Sequence, residues 1–305
     1  MSQDHGHPRG IASVRVLPDG RHATDAEHLF LPDGMFDRLR RHGVFVLSNR
    51  ERFATISSAL SGLALFAGPS GTGKSSTARA LAEMIAADLQ PEGGSLFIEV
   101  ESHDLASDLF GQSQRTVAKL LSETLPAIIA SQRFAIVLID EVEAFAPSRV
   151  AASFETNPVD LHRSTDAVLM GIDRFLEMYP RVFIMATTNF PSAVDQAFVS
   201  RADLVAEFEL PKKPAVVGII KDTLADVSKV WPMVARLGDD HELLDRMSTA
   251  CDGLDGRQLR KLVMQAITSR EATARDPGQL TADDLLAVVG WPNAIGEVSR
   301  VPTAG

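Results

Sequence analysis

The stretch "LALFAGPSGTGKSS" (63–76) decides the fold of this chain. Five apolar residues run into a loop of three glycines, and a lysine and two serines follow at once. A loop of that kind is poorly suited to packing a core. Gly68, Pro69, Ser70, Gly71, Thr72, Gly73, Lys74 and Ser75 fit the spacing G-x-x-x-x-G-K-[ST], with a strand (63–67) before them and a helical run from Ser76 to Leu89 after them. Glycines let successive backbone N–H groups wrap phosphates, and the N-terminus of the following helix favours negative charge. On this pattern Lys74 reaches the β- and γ-phosphates of a nucleotide, Ser75 ligates Mg2+, and Ser76 closes the set of contact residues.

Working outward, further short apolar runs alternate with segments of helical period: "LFIEV" (96–100), "AIVLI" (135–139), "RVFIMATT" (181–188) and "LVAEFEL" (204–210). Nearly continuous apolar strands separated by helices predict a parallel sheet covered on both faces, an α/β fold. The pattern changes at "PKKP" (211–214), beyond which only helices are predicted: 215–230, 242–250, 256–273 and 281–289. The last opens on "TADD", a capping box with Asp284 in place of the preferred Glu or Gln. The expected organisation is a polar leader (1–29), a large α/β domain (30–210), a small α-helical lid (211–292) and a tail (293–305). Within the large domain, Met35, Phe36 and Leu39 share one helical face with Gly43 as the predicted stop. A second short helix is expected over Glu51 to Leu60, ending at Gly62.

A length of 305 residues suggests two domains, and 45% hydrophobic residues suffice for a sizeable core. The N-terminus lacks the apolar segment of a secretion signal, and no apolar run reaches the ~18 residues a membrane span needs. Cytoplasm is the default expectation. A formal charge of −10 argues against charge-driven nucleic-acid binding. The single cysteine, Cys251, reads as a structural thiol in a helical region. His5, His7, His22, His28 and His42 match no metal-ligand spacing and read as part of a solvated leader.

Two further strands carry polar residues at their ends. "AIVLIDEVEAF" ends in Asp140 and Glu141. Beside a phosphate loop, Asp140 can hold the magnesium shell and Glu141 can polarise a water for in-line attack on the γ-phosphate. One strand–helix unit (96–130) separates the two motifs, which favours the hydrolytic, additional-strand division of phosphate-loop proteins. "IMATTNF" (184–190) places Asn189 just past a strand. If that strand lies beside the Asp140 strand, Asn189 sits between the γ-phosphate and the attacking water.

The order of phosphate loop, "DE" strand, "TTN" strand and helical lid resembles an AAA+ ATPase over roughly residues 30–290. "LIDEVEAFAPSR", "VDQAFVSRADL" (194–204) and "GLDGRQLRKL" (253–262) are similar to the pachytene-checkpoint group, which remodels HORMA-domain proteins. The resemblance implies ATP as substrate. It implies that Arg201 is an arginine finger offered to a neighbouring subunit and that Arg257 is the second sensor arginine of the lid. A finger acting on a neighbour implies a ring, a homohexamer in this family. By the same resemblance, "SHDLASDLFGQSQR" (102–115) stands where a first pore loop belongs, with Leu109 and Phe110 as the residues that grip polypeptide; core packing explains such a pair equally well. Residues 147–163 stand where a second pore loop would lie.

Barely 30 residues precede the resemblance, as in short bacterial members that accompany a HORMA protein and a cyclic-oligonucleotide synthase in CBASS antiphage operons. The implied activity is ATP-driven remodelling of a HORMA client. A nucleotide-gated scaffold and a DNA-directed AAA+ ATPase are the alternatives, the latter disfavoured by acidic charge and by the lack of a helix-turn-helix extension.

Overall fold

A computed structural model of the chain describes residues 8–53, 60–105, 112–144, 146 and 158–289. Two units divide between Glu209 and Leu210. The first carries β1 (Ile11–Leu17), α1 (Met35–Phe53), β2 (Leu63–Ala67), α2 (Lys74–Leu89), β3 (Ser95–Glu101), α3 (Ser102–Leu105), α4 (Gln112–Lys119), α5 (Leu125–Ile129), β4 (Phe134–Asp140), α6 (Pro158–Met178), β5 (Val182–Thr188), α7 (Gln196–Val199) and β6 (Leu204–Glu207). The six strands lie in the order β1-β3-β4-β5-β2-β6, with β1 antiparallel to β3 and every other pairing parallel.

Why the strands read as continuous apolar runs is visible in their two faces. Leu63, Leu65, Val137, Ile139 and Ile184 point into one core cluster, which takes Leu169 and Phe175 from α6. Their alternates Ala64, Phe66, Ile136, Leu138 and Phe183 point into another, against Leu47 of α1 and Leu81 and Ile85 of α2. Side chains alternate faces along a strand, so a sheet covered on both sides needs apolar residues at every position.

Two expectations for the N-terminal third are corrected. Part of the expected polar leader is a strand: Ile11–Leu17 pairs with β3 along the edge of the sheet, with a register shift between Ile11 and Ser13. Its polar residues disguised it. Arg15 lays its guanidinium 5.2 Å from the centre of the Phe97 ring and pairs with Asp19 at 3.0 Å, so a charged residue covers apolar surface with its stem. The turn that follows is tied down where the Gly20 N–H donates to Glu83 Oε1 of α2 at 2.5 Å. His42 likewise belongs to α1, edge-on to Phe183 at 5.9 Å, and to no leader.

Nor does Gly43 stop a helix. Helix α1 runs through it to Phe53, so the first residues of the expected second helix, Glu51–Phe53, belong to the last turn of α1; residues 54–59 lie outside the described residues. A Cβ at Gly43 would stand 2.4 Å from Ile85 Cδ1 and 3.2 Å from Phe183 Cε1. Close approach of α1 to α2 and β5 accounts for this glycine, and conformational freedom does not.

In the second unit, α8 (Lys213–Ser228), α9 (Ala235–Gly238), α10 (His241–Ala250), α11 (Gly256–Thr268), α12 (Glu271–Arg275) and α13 (Ala282–Ala287) enclose their own core. Cys251 is buried in that core, and burial pushes its thiol up to about 11, which suits an inert structural thiol. The single helix expected over 256–273 is two. Arg270 takes an extended conformation between α11 and α12 and turns its guanidinium onto Asp284, with Nε to Oδ1 at 2.5 Å and Nη2 to Oδ2 at 2.6 Å. Asp284 also completes the capping box with Thr281, whose N–H it accepts at 2.9 Å.

The Arg270 bond, working against burial, holds the Asp284 carboxyl at about 2. Since its folded value lies below the ordinary ~3.9, its stabilisation is complete above that value and fades as pH falls towards 2. Asp284→Asn is therefore expected to cost about 1–3 kcal/mol at pH 7 and distinctly less at pH 3. Urea unfolding of parent and variant at the two pH values measures both; an equal gap at both rejects the assignment.

Candidate active site

The loop 68–75 joins β2 to α2 at the edge where the parallel strands end. Gly68 (φ 152°) and Gly73 (φ 93°) adopt backbone conformations that disfavour any side chain. At Gly68 the constraint is also steric, because a Cβ would stand 2.0 Å from the Phe208 carbonyl oxygen, where the chain leaves β6. The Gly68 N–H donates to Thr188 O of β5 at 3.2 Å, so the loop starts from a fixed point. Lys74 is 5% exposed, and its Nζ donates to the carbonyls of Gly68 (2.8 Å) and Pro69 (2.7 Å), closing the loop around its ammonium. Helix α2 begins here, and the first N–H groups of a helix together with its dipole make an anion site. On the other side of Gly73, whose Cβ would lie 3.8 Å from Leu29 Cδ2, Leu29 lines a cavity of ≈ 210 Å³ with Ala26, Leu31, Pro32 and Phe36.

Strand order brings the acids to this loop. Ser75 Oγ donates to Asp140 Oδ1 at 2.8 Å across 65 residues of sequence. β5 is hydrogen-bonded to β4 on one side and β2 on the other, so its polar end lies between the loop and the acids. Thr187, 1% exposed, donates its hydroxyl to Asp140 Oδ1 and accepts the Glu141 N–H at 3.0 Å. Asn189 Nδ2 donates to Glu141 Oε1 at 2.7 Å, and its N–H donates to Glu143 Oε1 at 3.1 Å. Ser102, the first residue of α3 just past β3, donates to the Asp140 carbonyl. Glu141 has φ 58°, a left-handed conformation that costs a residue with a side chain about 1–3 kcal/mol. Such an outlier persists only where its surroundings hold it, and it aims the carboxylate at Asn189. Chemically, the site offers a cationic loop for phosphates, an oxygen-donor pair from Ser75 and Asp140, and a second carboxylate one residue on.

The pattern of the family described as "ATPase family associated with various cellular activities (AAA)" matches residues 64–210. "CD-NTase-associated protein 6" of Pseudomonas aeruginosa is 38% identical over 288 residues, covering 94% of each chain. The chain belongs to the AAA ATPase family. Within it, the "Pachytene checkpoint protein 2 homolog" of Oryza sativa subsp. indica is 32% identical over 68% of this chain, which spans 50% of that relative. The same fold recurs in the solved structure of C. elegans PCH-2, with a TM-score of 0.70 and 22% identity over 93% of this chain and 75% of that one. A chain in the E. coli MS115-1 HORMA:CdnC:Trip13 complex also matches, with a TM-score of 0.72 and 18% identity over 92% of this chain and 94% of that one. Nucleotide binding is the shared property of AAA proteins.

The remaining residues singled out in the sequence stand elsewhere. Arg201 follows α7, its Nε bonded to Asp173 of α6 at 2.9 Å and Nη1 to Ala197 O at 2.7 Å. Its backbone is fixed by an unpredicted cluster: the Ser61 hydroxyl donates to the Arg201 carbonyl at 2.6 Å, and Asp203 accepts the N–H groups of Ser61 and Gly62, both at 2.7 Å. Burial pushes the Asp203 carboxyl up, but the His42 imidazole, 3.7 Å away, and the Ser61 and Gly62 donors outweigh it and hold it below its usual range. Arg257 is exposed at the second position of α11 in the other unit. Leu109 and Phe110 lie outside the described residues, as do 147–157. Thr187 stood in the quoted "TTN" with no role assigned, Glu143 in "DEVE", and Asp203 in "SRAD"; only neighbouring strands show what these side chains touch.

Gly68→Ala is expected to displace the loop, because the atom it meets is backbone, and to weaken ATP binding at least ~10-fold. Titration with a fluorescent ATP analogue measures this; affinity equal to the parent would refute the role given to the approach of Phe208.

Proposed function

We propose that this chain hydrolyses ATP in a ring of identical subunits and uses the cycle to remodel a HORMA-domain protein. The observation that carries the chemistry is the pair of bonds Ser75–Asp140 (2.8 Å) and Asn189–Glu141 (2.7 Å), which sets a metal-side carboxylate and a water-side carboxylate at one phosphate loop. Ser75 and Asp140 are hard oxygen donors, few in number; among the described residues no group of three or more His, Cys, Asp and Glu could hold a metal ion. That donor set suits Mg2+, which keeps several waters and binds through one or two protein oxygens plus substrate phosphates. Ser75 and Asp140 would hold Mg2+, which when bound would offset the charge that develops on the phosphate oxygens.

The rest of the chemistry belongs to the chain. Lys74 and the N–H groups of 70–75 bind and orient the triphosphate. Glu141 accepts a proton from the attacking water as its oxygen bonds to the γ-phosphorus and the bond to the ADP oxygen breaks; the proton then leaves to solvent. Asn189 holds the Glu141 carboxylate, beside which the attacking water would lie. Arg201 of one subunit would neutralise the phosphoryl oxygens in the next subunit's site, and Arg257 would report nucleotide state to the helical unit. A head-to-tail interface that closes on itself gives a ring, here a hexamer.

The client reading is supported by the relatives. CD-NTase-associated protein 6 is similar along nearly its whole length, and the fold matches a chain held in a complex with HORMA and CdnC. We take the client to be a HORMA-domain protein associated with a cyclic-oligonucleotide synthase in CBASS defence, and the outcome to be disassembly of that complex. Among the described residues no helix is long and apolar enough to cross a membrane.

Glu141→Gln should bind ATP with parent-like affinity and lose ~100- to 1,000-fold in turnover, retaining client on the ring in gel filtration. Turnover within a few-fold of the parent rejects Glu141 as the water-activating group. Phe110→Ala separates threading from scaffolding: ATPase retained with client release lost supports a gripping pore, and unchanged release supports a nucleotide-gated scaffold.

A further inference from the structure

We infer that Thr187 is the positioning residue for the general base, its hydroxyl fixing the backbone of Glu141 against the carboxylate of Asp140. The inference rests on the reading of Glu141 as the group that activates water.

A threonine hydroxyl has one proton and two lone pairs. Facing it are a carboxylate oxygen of Asp140, which can only accept, and the N–H of Glu141, which can only donate at 3.0 Å. Both bonds therefore run in one sense: the proton goes to Asp140 and a lone pair takes the Glu141 N–H. The position leaves no competing partner from water, since Thr187 is 1% exposed. The anchored N–H belongs to the residue with φ 58°, whose side chain is held at its far end by Asn189. Thr187 thus holds the amide end of Glu141 and Asn189 its carboxylate, while the Glu141 carbonyl accepts the Ala144 N–H at 3.1 Å in the turn that follows. Without the Thr187 hydroxyl the N–H at the left-handed step loses its acceptor on β5, and the carboxylate shifts relative to Asn189.

Cohesion of the strands does not need this hydroxyl. The β4–β5 ladder pairs Ala135–Ile139 with Val182–Ala186 through backbone bonds and ends one residue before Thr187. Thr187 continues the contact by side chain, at the place where the backbone of β4 turns away into the left-handed step. The same hydroxyl touches Asp140, which Ser75 also holds, so the metal-side carboxylate and the base share a single fixed oxygen.

Thr187→Val replaces the hydroxyl by a methyl of equal size, and Thr187→Ser restores the hydroxyl with less bulk. Steady-state ATPase should show kcat lowered ~10- to 100-fold in Thr187→Val, with KM and ATP-analogue affinity within a few-fold of the parent, and Thr187→Ser back to within a few-fold in kcat. In single-turnover assays over hours, adding Thr187→Val to Glu141→Gln should produce no further loss, because both act through one group. Should Thr187→Val fold poorly, as judged by its thermal midpoint, Thr187→Ala removes the same hydroxyl and must give the same kcat loss. An unchanged kcat, a serine variant as slow as the valine one, or an undiminished effect in the Glu141→Gln background each overturns the inference. Parent-like turnover in Glu141→Gln itself overturns the reading of Glu141 and the inference with it, whereas a silent Thr187→Val beside an inactive Glu141→Gln overturns the inference alone.

Discussion

Asp140 accepts hydrogen bonds from Ser75 at 2.8 Å and from the Thr187 hydroxyl, and through its carbonyl from Ser102. One residue thereby joins the phosphate loop, the adjoining strand β5 and the start of α3. An ionised carboxylate is acceptor-only, so it can gather several donors without any of them competing for a proton. The distances follow from strand order. With β4, β5 and β2 adjacent and parallel, their ends come together at the same edge of the sheet, and parallel sheets place ligands there as a rule. The loop at 68–75, the Ser75–Asp140 oxygen pair and the Glu141 carboxylate all hang on that edge. The two apolar cores on either face of the sheet hold it in place.

What could be read from residues alone was what repeats with a period or carries a motif. The strands at 63–67, 96–100, 135–139 and 181–188 were legible because burial on both faces demands unbroken apolar runs, and the helices of the second unit because their apolar stripes face a single core; the run expected over 204–210 is a strand only at Leu204–Glu207, an edge strand with Val205 and Glu207 exposed. β1 was not legible. As an edge strand it needs only one apolar side, and Arg15, stacked on Phe97, breaks even that alternation. Gly43 was misread for a related reason: a glycine that relieves contact between α1 and Ile85 looks the same in sequence as one that ends a helix. The break between α11 and α12 had no local signal either, since the partner that turns Arg270 outward is Asp284, on the last helix.

The same division runs through the site. The residues proposed to touch phosphate and metal belong to short stretches with fixed spacing: glycines for the turn, lysine for the charge, a hydroxyl for the cation. Residues that position those groups carry no such constraint. Thr187 and Ser102 become meaningful only when a neighbouring strand end is known, and each acts through one hydroxyl that in sequence could serve a hundred purposes. Glu141 shows why they are needed. Its left-handed backbone aims the carboxylate, runs against the preference of a side-chain-bearing residue, and so depends on bonds from β5 to persist.

Arg201 presents the opposite arrangement, a fixed backbone with a releasable head. Ser61 and Asp203 hold its segment with buried, short bonds to the start of β2, and Asp203 keeps its charge there because the surrounding donors outweigh the effect of burial. The guanidinium, by contrast, pairs with Asp173, which is about half exposed. Ion pairs of that kind contribute about 0–1 kcal/mol. In the proposed ring, exchanging Asp173 for the oxygens of a neighbouring subunit's triphosphate requires release of that weak pair and of the Nη1 bond to the Ala197 carbonyl (2.7 Å), while the Asp203 cluster keeps the chain from following. A weak resting pair over a strong anchor is what a residue needs if it is to enter another subunit's site at one stage of a cycle and withdraw at the next.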